Sequence, residues 1–293
     1  MQNGHNLGQN FLINSSIADF LVRSANIAPE DIVLEVGAGT GAVTKYLIEK
    51  TKNVTAVEID SELIPKLYEN LGLSFWGVLP LGGTTPESAL SSRRMSGSVL
   101  TSDSGRAPLA RMTDTPKIIN SDILNFLDSW KETDYKVVGS IPYSITSPLI
   151  HKLLLRSNQP KLIALIVQYE VAKKICAKTP NASYLSNLVA LYGKAKILKK
   201  ISPASFKPAP KVTSAVVLIE KTAPSSFWGG AERQLQNQKL FSNLLHKGFK
   251  HPRKMLNKAF DKEVLIKAGI NPNSRPQEVT IEQWVKLYAL QTN

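Results

Sequence analysis

Short unbroken apolar runs alternate along this chain with stretches whose apolar residues recur every three to four positions. The runs at 32–36, 53–59, 117–120, 135–139 and 162–168 read as strands buried on both faces. Two later stretches, 195–201 and 212–219, read as closing strands. The helical rhythm predicts helices over 15–25, 42–50, 61–71, 123–130, 169–178 and 184–192. Ile17, Phe20, Leu21 and Ser24 mark the first of these, and Asn14 is placed to cap it. Pro65 must fall within the first turn of its helix, and Ser147-Pro148 opens another, running to 155 with proline at the first position. Strands alternating with helices predict an α/β fold, a mostly parallel sheet covered on both faces.

Two stretches break the rhythm. Residues 72–116 are rich in Gly, Ser, Thr and Pro and read as an insertion or a disordered loop, with Arg93, Arg94, Arg106 and Arg111 as candidate RNA contacts. Residues 222–226 read as a linker. Beyond them only helical periodicity is seen, over 235–249, 253–260, 262–268 and 281–290. The expected division is a sheet-bearing domain over 1–221 and a small all-helical domain over 222–293.

Charge sharpens the picture. There are 36 Lys and Arg against 23 Asp and Glu, a formal charge of +13. An excess of this size points to a polyanionic partner, nucleic acid before membrane. Between 239 and 258 the chain carries Lys239, Lys247, Lys250, Arg253, Lys254 and Lys258 with no acidic residue. A basic helical hairpin of this kind suits a phosphate backbone. Cys176 is the only cysteine, so a reducing, cytoplasmic setting is expected. Neither a transmembrane run nor a secretory signal is read.

The candidate chemistry gathers at strand ends. Val33-Leu-Glu-Val-Gly-Ala-Gly-Thr-Gly41 is a strand turning through three glycines into a helix, where backbone can approach a nucleotide-like ligand closely. Gly37, Gly39 and Ala42 also satisfy a dinucleotide pattern. Glu58 lies about 20 residues beyond the turn, where an acidic side chain can accept both hydroxyls of a ribose; Asp60 fits a helix cap. Ser140-Ile141-Pro142-Tyr143 stands at another strand end. Pro142 fixes the backbone there, which can aim a carbonyl and the Ser140 hydroxyl at one point, and Tyr143 offers a flat face for a base. Acceptors binding the hydrogens of a purine amine favour its pyramidal, nucleophilic form, and a methyl sulfonium opposite could then be attacked in line by positioning and electrostatics alone. Phe206 reads either as a second wall of the base slot or as core. A base held between Tyr143 and Phe206 must be single-stranded or flipped out. His5, His151, His246 and His251 show no ligand spacing, so no metal site is expected. Cys176 reads as buried structure on a helix.

An ordered set of motifs carries a resemblance over nearly the whole chain apart from 72–116. The set is Leu7-Gly-Gln-Asn-Phe-Leu12, Glu35-Val-Gly-Ala-Gly-Thr-Gly41, Val57-Glu-Ile-Asp60, Ser121-Asp-Ile123, Ser140-Ile-Pro-Tyr143, Phe206-Lys-Pro-Ala-Pro-Lys-Val-Thr-Ser214 and the basic stretch 249–256. It resembles the ribosomal RNA adenine dimethyltransferases of the bacterial small-subunit type. The resemblance implies a Rossmann-like methyltransferase sheet with a helical C-terminal domain, and S-adenosylmethionine as methyl donor. The implied substrate is two adjacent adenines near the 3′ end of small-subunit rRNA, each dimethylated on its exocyclic nitrogen, in naked RNA or an immature small ribosomal subunit. By position, Asn10 and Leu12 close over the cofactor, Gly37, Gly39 and Ser140 approach it, Glu58 holds its ribose and Asp122 contacts its adenine. Tyr143 and Phe206 sandwich the target base, and Lys247, Lys250, Arg253, Lys254 and Lys258 grip RNA. The expected working form is a monomer. Two departures stand out: serine at 140 where the family usually has asparagine, and the insertion. The alternatives are a non-catalytic rRNA-binding assembly factor and a large-subunit rRNA methyltransferase conferring antibiotic resistance.

Overall fold

Val, Ile and Leu dominate five consecutive parallel strands, as they must where both faces of a sheet are covered. The computed structural model describes residues 9–73, 115–222 and 231–292, with backbone alone for 231–235. The arginines expected at 93, 94, 106 and 111 lie outside these residues. In chain order the elements are β1 (Phe11–Leu12), α1 (Ser15–Ser24), β2 (Ile32–Val36), α2 (Thr44–Ile48), β3 (Val54–Glu58), α3 (Ile64–Asn70), β4 (Lys117–Asn120), α4 (Ile123–Ser129), β5 (Tyr135–Ser140), α5 (Thr146–Leu154), β6 (Leu162–Gln168), α6 (Tyr169–Ile175), α7 (Tyr184–Tyr192), β7 (Gly193–Ile201), β8 (Phe206–Lys207), β9 (Ser214–Lys221), α8 (Ala231–Phe249), α9 (Lys262–Lys267) and α10 (Ile281–Thr292).

Seven strands form one sheet in the order β4-β3-β2-β5-β6-β9-β7. The first five are parallel, while β9 and β7 run antiparallel to their neighbours. The chain winds outward from β2 to β4, then returns to β5 on the other side of β2. That reversal opens a crevice at the carboxyl ends of β2 and β5, the place where such sheets take ligands.

Alternate residues of the strands feed two cores. Leu34, Val36, Val57, Val137, Ile163 and Leu165 pack against α4 to α7. Val33, Val54, Val138, Ala164 and Ile166 pack against α1 and α2. A third core joins α8, α9 and α10 around Phe241, Leu245, Leu265, Trp284 and Leu287. Tyr184 of α7 packs against both the first and third cores, so α7 is the seat of the helical unit. At the amino ends of the strands the buried Asp31 carboxylate is held by Lys136 and Lys161, each at 2.7 Å. Burial alone would raise its pKa, but those two ammonium groups and the Ala28 N–H hold it down at about 2.

Several local expectations need correction. The helix after the glycine turn is short, spanning Thr44–Ile48. Helix α5 begins at Thr146, so Pro148 stands third rather than first, still within the turn where its missing N–H costs nothing. No helix spans 253–260. The chain instead makes a single 3₁₀ turn at Leu256–Lys258. Leu256 and Asn257 donate their amides outward to the carbonyls of Ser274 and Pro272. The basic residues therefore lie on the end of α8 and an exposed bend, not on a helical hairpin. Cys176 sits at the end of α6, half-buried, its thiol pushed up to about 11 by burial. Among the described residues no helix is long and apolar enough to cross a membrane.

Candidate active site

The glycine turn is held by its neighbours rather than by its own ladder. Gly37 and Ala38 donate their amides to the Val57 carbonyl at 2.9 and 3.2 Å. Gly37, Gly39 and Gly41 all have positive φ, at 72, 56 and 90°, a region costly for residues with a Cβ. At Gly37 a Cβ would also stand 3.0 Å from the Ser140 carbonyl oxygen. The turn and the Ser140 strand end are therefore in contact through backbone.

Glu58 ends β3 and is only 4 % exposed. Its carboxylate accepts from the Gly39 amide at 2.8 Å and from the Asp60 amide at 3.0 Å. One of its roughly four acceptor positions thus pins the glycine turn, and a second holds the chain just past its own strand end. Asp60 in turn accepts from the Glu62 amide at 3.0 Å. Asp122 caps α4 through one oxygen, which accepts from the Leu124 amide at 2.7 Å, and the residue also lines the cleft. Asn120 ties the ends of β3 and β4 together by donating to the carbonyls of Glu58 and Ile59.

These ends surround one cleft of about 1100 Å³, counting its open mouth. Asn10, Leu12, Gly37, Gly39, Glu58, Asp122, Ser140, Ile141, Pro142, Tyr143 and Phe206 all line it. Every cofactor and catalytic residue expected from the sequence is thus brought to a single cavity. Phe206 is 4 % exposed, packs in the core with Leu12 and Leu21, and also lines the cleft. Tyr143 is half-buried in a 3₁₀ turn, Tyr143–Ile145, and its hydroxyl lies 2.7 Å from the Ser214 Oγ. Burial raises the Tyr143 pKa and the Ser214 bond offsets part of that rise. The five expected RNA-contacting residues, Lys247, Lys250, Arg253, Lys254 and Lys258, are all exposed and line a different surface from the cleft. Lys247 also lies 4.8 Å over the Phe260 ring.

Sequence reasoning missed four features. The strap β1 pairs antiparallel with β8, Leu12 opposite Phe206. Ile59, 47 % exposed, presents an apolar wall to the cleft beside Glu58. Ser214 holds Tyr143. Glu35 is fully buried beneath the glycine turn, and its carboxyl oxygens make no well-aligned hydrogen bond. Burial pushes its pKa up to about 8, the polar groups of Thr44 pull it back in part, and the Glu58 carboxylate adds to the rise. A single acidic residue inside an apolar run was the available signal.

The sheet order, the glycine turn and the cleft at the strand reversal define a Rossmann-like α/β fold. The family described as ribosomal RNA adenine dimethylase matches residues 1–74 and 108–293. A ribosomal RNA small subunit methyltransferase A of Clostridium botulinum (strain Okra / Type B1) is 32% identical, the match covering 96% of this chain and 91% of the relative. A protein of the same name from Clostridium perfringens (strain SM101 / Type A) is 30% identical, covering 95% and 87%. Among solved structures, a dimethyladenosine transferase from Plasmodium falciparum superposes with a TM-score of 0.67 at 23% identity, covering 94% of this chain and 95% of that one. The 23S rRNA methyltransferase ErmE superposes at 0.65 with 22% identity, covering 97% and 100%. The chain belongs to the ribosomal RNA adenine dimethylase family and is an rRNA adenine dimethyltransferase.

Proposed function

We propose that this enzyme uses S-adenosylmethionine to dimethylate the exocyclic N6 of two adjacent adenines near the 3′ end of small-subunit rRNA, as a step in small-subunit assembly. The observation that carries the reading is the single cleft joining the glycine turn to the Ser140–Tyr143 strand end. Its residues fit the cofactor. Glycines 37 and 39 leave room where a Cβ would crowd the approach, Glu58 and Asp122 keep free acceptor positions for ribose hydroxyls and an adenine amine, and Ile59 offers an apolar wall. When bound, the cofactor supplies a methyl group on a positively charged sulfur.

The chain's own residues do the rest by positioning. Asn10 and Leu12 close over the cofactor. Pro142 and Ile141 fix the backbone so that the Ser140 carbonyl and hydroxyl accept the hydrogens of the target amine. Those bonds favour the pyramidal nitrogen, whose lone pair is free to attack. Tyr143 and Phe206 hold the flipped adenine between them. The sheet unit, 1–221, carries this chemistry. The helical unit, 222–293, grips the RNA backbone through Lys247, Lys250, Arg253, Lys254 and Lys258. The partner is rRNA within an immature small subunit, and the enzyme works as a cytoplasmic monomer without a metal ion.

One observation favours a second reading, a non-catalytic assembly factor: the short Ser140 hydroxyl stands where the resemblance expects a longer carboxamide. Methyl transfer from labelled S-adenosylmethionine to small subunits lacking the modification, followed by nucleoside mass analysis, separates the two. Dimethyladenosine at the 3′ end is the expected product. Monomethyladenosine alone assigns the defect to the second transfer and to Ser140. No transfer, with cofactor and subunit still bound, favours the assembly factor, and methylation of large-subunit rRNA instead overturns the proposed substrate.

A further inference from the structure

The Tyr143 side chain is held at both ends. Its Cα follows Pro142, whose ring fixes the backbone, and the Ile145 amide closes the turn onto the Pro142 carbonyl at 3.2 Å. Its far end, the phenol oxygen, lies 2.7 Å from the Ser214 Oγ, 71 positions away in sequence. Ser214 is the first residue of β9, is wholly buried and stands between Gln168 of β6 and Ile201 of β7. Beside it the Tyr169 amide donates to the Thr213 carbonyl at 2.9 Å. The backbone carrying Ser214 is therefore fixed from both sides. Its hydroxyl, like any buried polar group, needs a partner, and the partner is Tyr143.

We infer that Ser214 is a positioning residue for methyl transfer, its hydroxyl clamping the Tyr143 phenol and so fixing the plane on which the target base stacks. The inference rests on the reading of Tyr143 as a wall of the base slot. An aromatic ring tethered only at Cβ swings about two torsions. Anchoring its para oxygen stops both, so the wall stands in place before the base arrives and no ordering cost falls on that step. Ser214 does not line the cleft and acts only through Tyr143. Affinity for RNA comes mainly from phosphate contacts elsewhere, so loosening the wall lowers kcat and leaves KM for RNA nearly unchanged.

The test measures kcat and KM on small subunits lacking the modification, for Ser214→Ala, Tyr143→Phe, the double variant and Tyr143→Ala. Cofactor affinity and Tm are followed in parallel. Losing one hydrogen bond lowers kcat about fivefold in Ser214→Ala and in Tyr143→Phe, with KM within about twofold. The double variant falls no further than either single one, because both remove the same bond. Tyr143→Phe breaks that bond from the half-buried side, so a loosened β9 in Ser214→Ala does not blunt the test. Effects that multiply, or a Ser214→Ala kcat within twofold of wild type, overturn the clamp. Undiminished transfer by Tyr143→Ala removes the stacking reading itself. Lost transfer there beside a wild-type Ser214→Ala removes the clamp alone.

Discussion

Glu35 makes the stability of this protein depend on pH in an unusual direction. The carboxyl is buried beneath the glycine turn with no well-aligned hydrogen bond, and its pKa rises from 4.5 to about 8. Between those values the folded chain keeps this proton and the unfolded chain releases it. The folded pKa is raised, so the stabilisation is fully present below pH 4.5 and is lost as pH climbs through 8. The slope is about 1.4 kcal/mol per pH unit, and the span amounts to roughly 5 kcal/mol. Glu35→Gln keeps the shape and removes the titration. Urea unfolding of both proteins at pH 5, 6, 7 and 8 isolates the effect, because titrating groups that do not interact with Glu35 cancel in the difference. The expected result is a wild type that loses about 3 to 5 kcal/mol relative to the variant between pH 5 and 8. Parallel profiles would refute the reasoning and mean that Glu35 is ionised in the folded protein.

Three further outcomes are expected. Gly37→Ala, strained by its positive φ and crowded by the Ser140 carbonyl, weakens S-adenosylmethionine binding about tenfold or more by calorimetry while the fold persists. Asp31→Asn leaves Lys136 buried without its carboxylate and costs about 3 kcal/mol in urea unfolding at pH 7; that difference shrinks only in acid, below pH 3.8 and through about 2, because the Asp31 pKa is depressed. In Gly248→Ala the new methyl would collide with the Trp284 ring, destabilising the helical unit by about 1 to 3 kcal/mol. Amide exchange should quicken in α8 and α10 and stay slow in the sheet.

The parallel strands were legible because burial on both faces leaves them as plain apolar runs, and β2, β4, β6 and α7 fall where the rhythm puts them. The residues of the cleft were legible as motifs, since each stands at a strand end. The misreadings have physical causes. Basic spacing over 253–260 imitates a helix face, but the amides of Leu256 and Asn257 bond across to the carbonyls of Ser274 and Pro272 instead of back along a helix. The β1–β8 pair is two residues long, too short to carry a period. Ser214 shows its role only when β9 folds back beside β6, and no local pattern announces a contact made across 71 residues. Glu35 was visible as a carboxylate within an apolar run, yet its protonation depends on how closely the turn above it packs.

The two-residue pairing of β1 with β8 has a mechanical consequence. Leu12 faces Phe206 across that ladder, and the amides of Ile13 and Asn14 both donate to the Ser205 carbonyl. Leu12 and Phe206 both line the cleft, so this edge is one backbone unit drawn from two places 194 positions apart in the chain, and a displacement of either residue is passed through the ladder to the other.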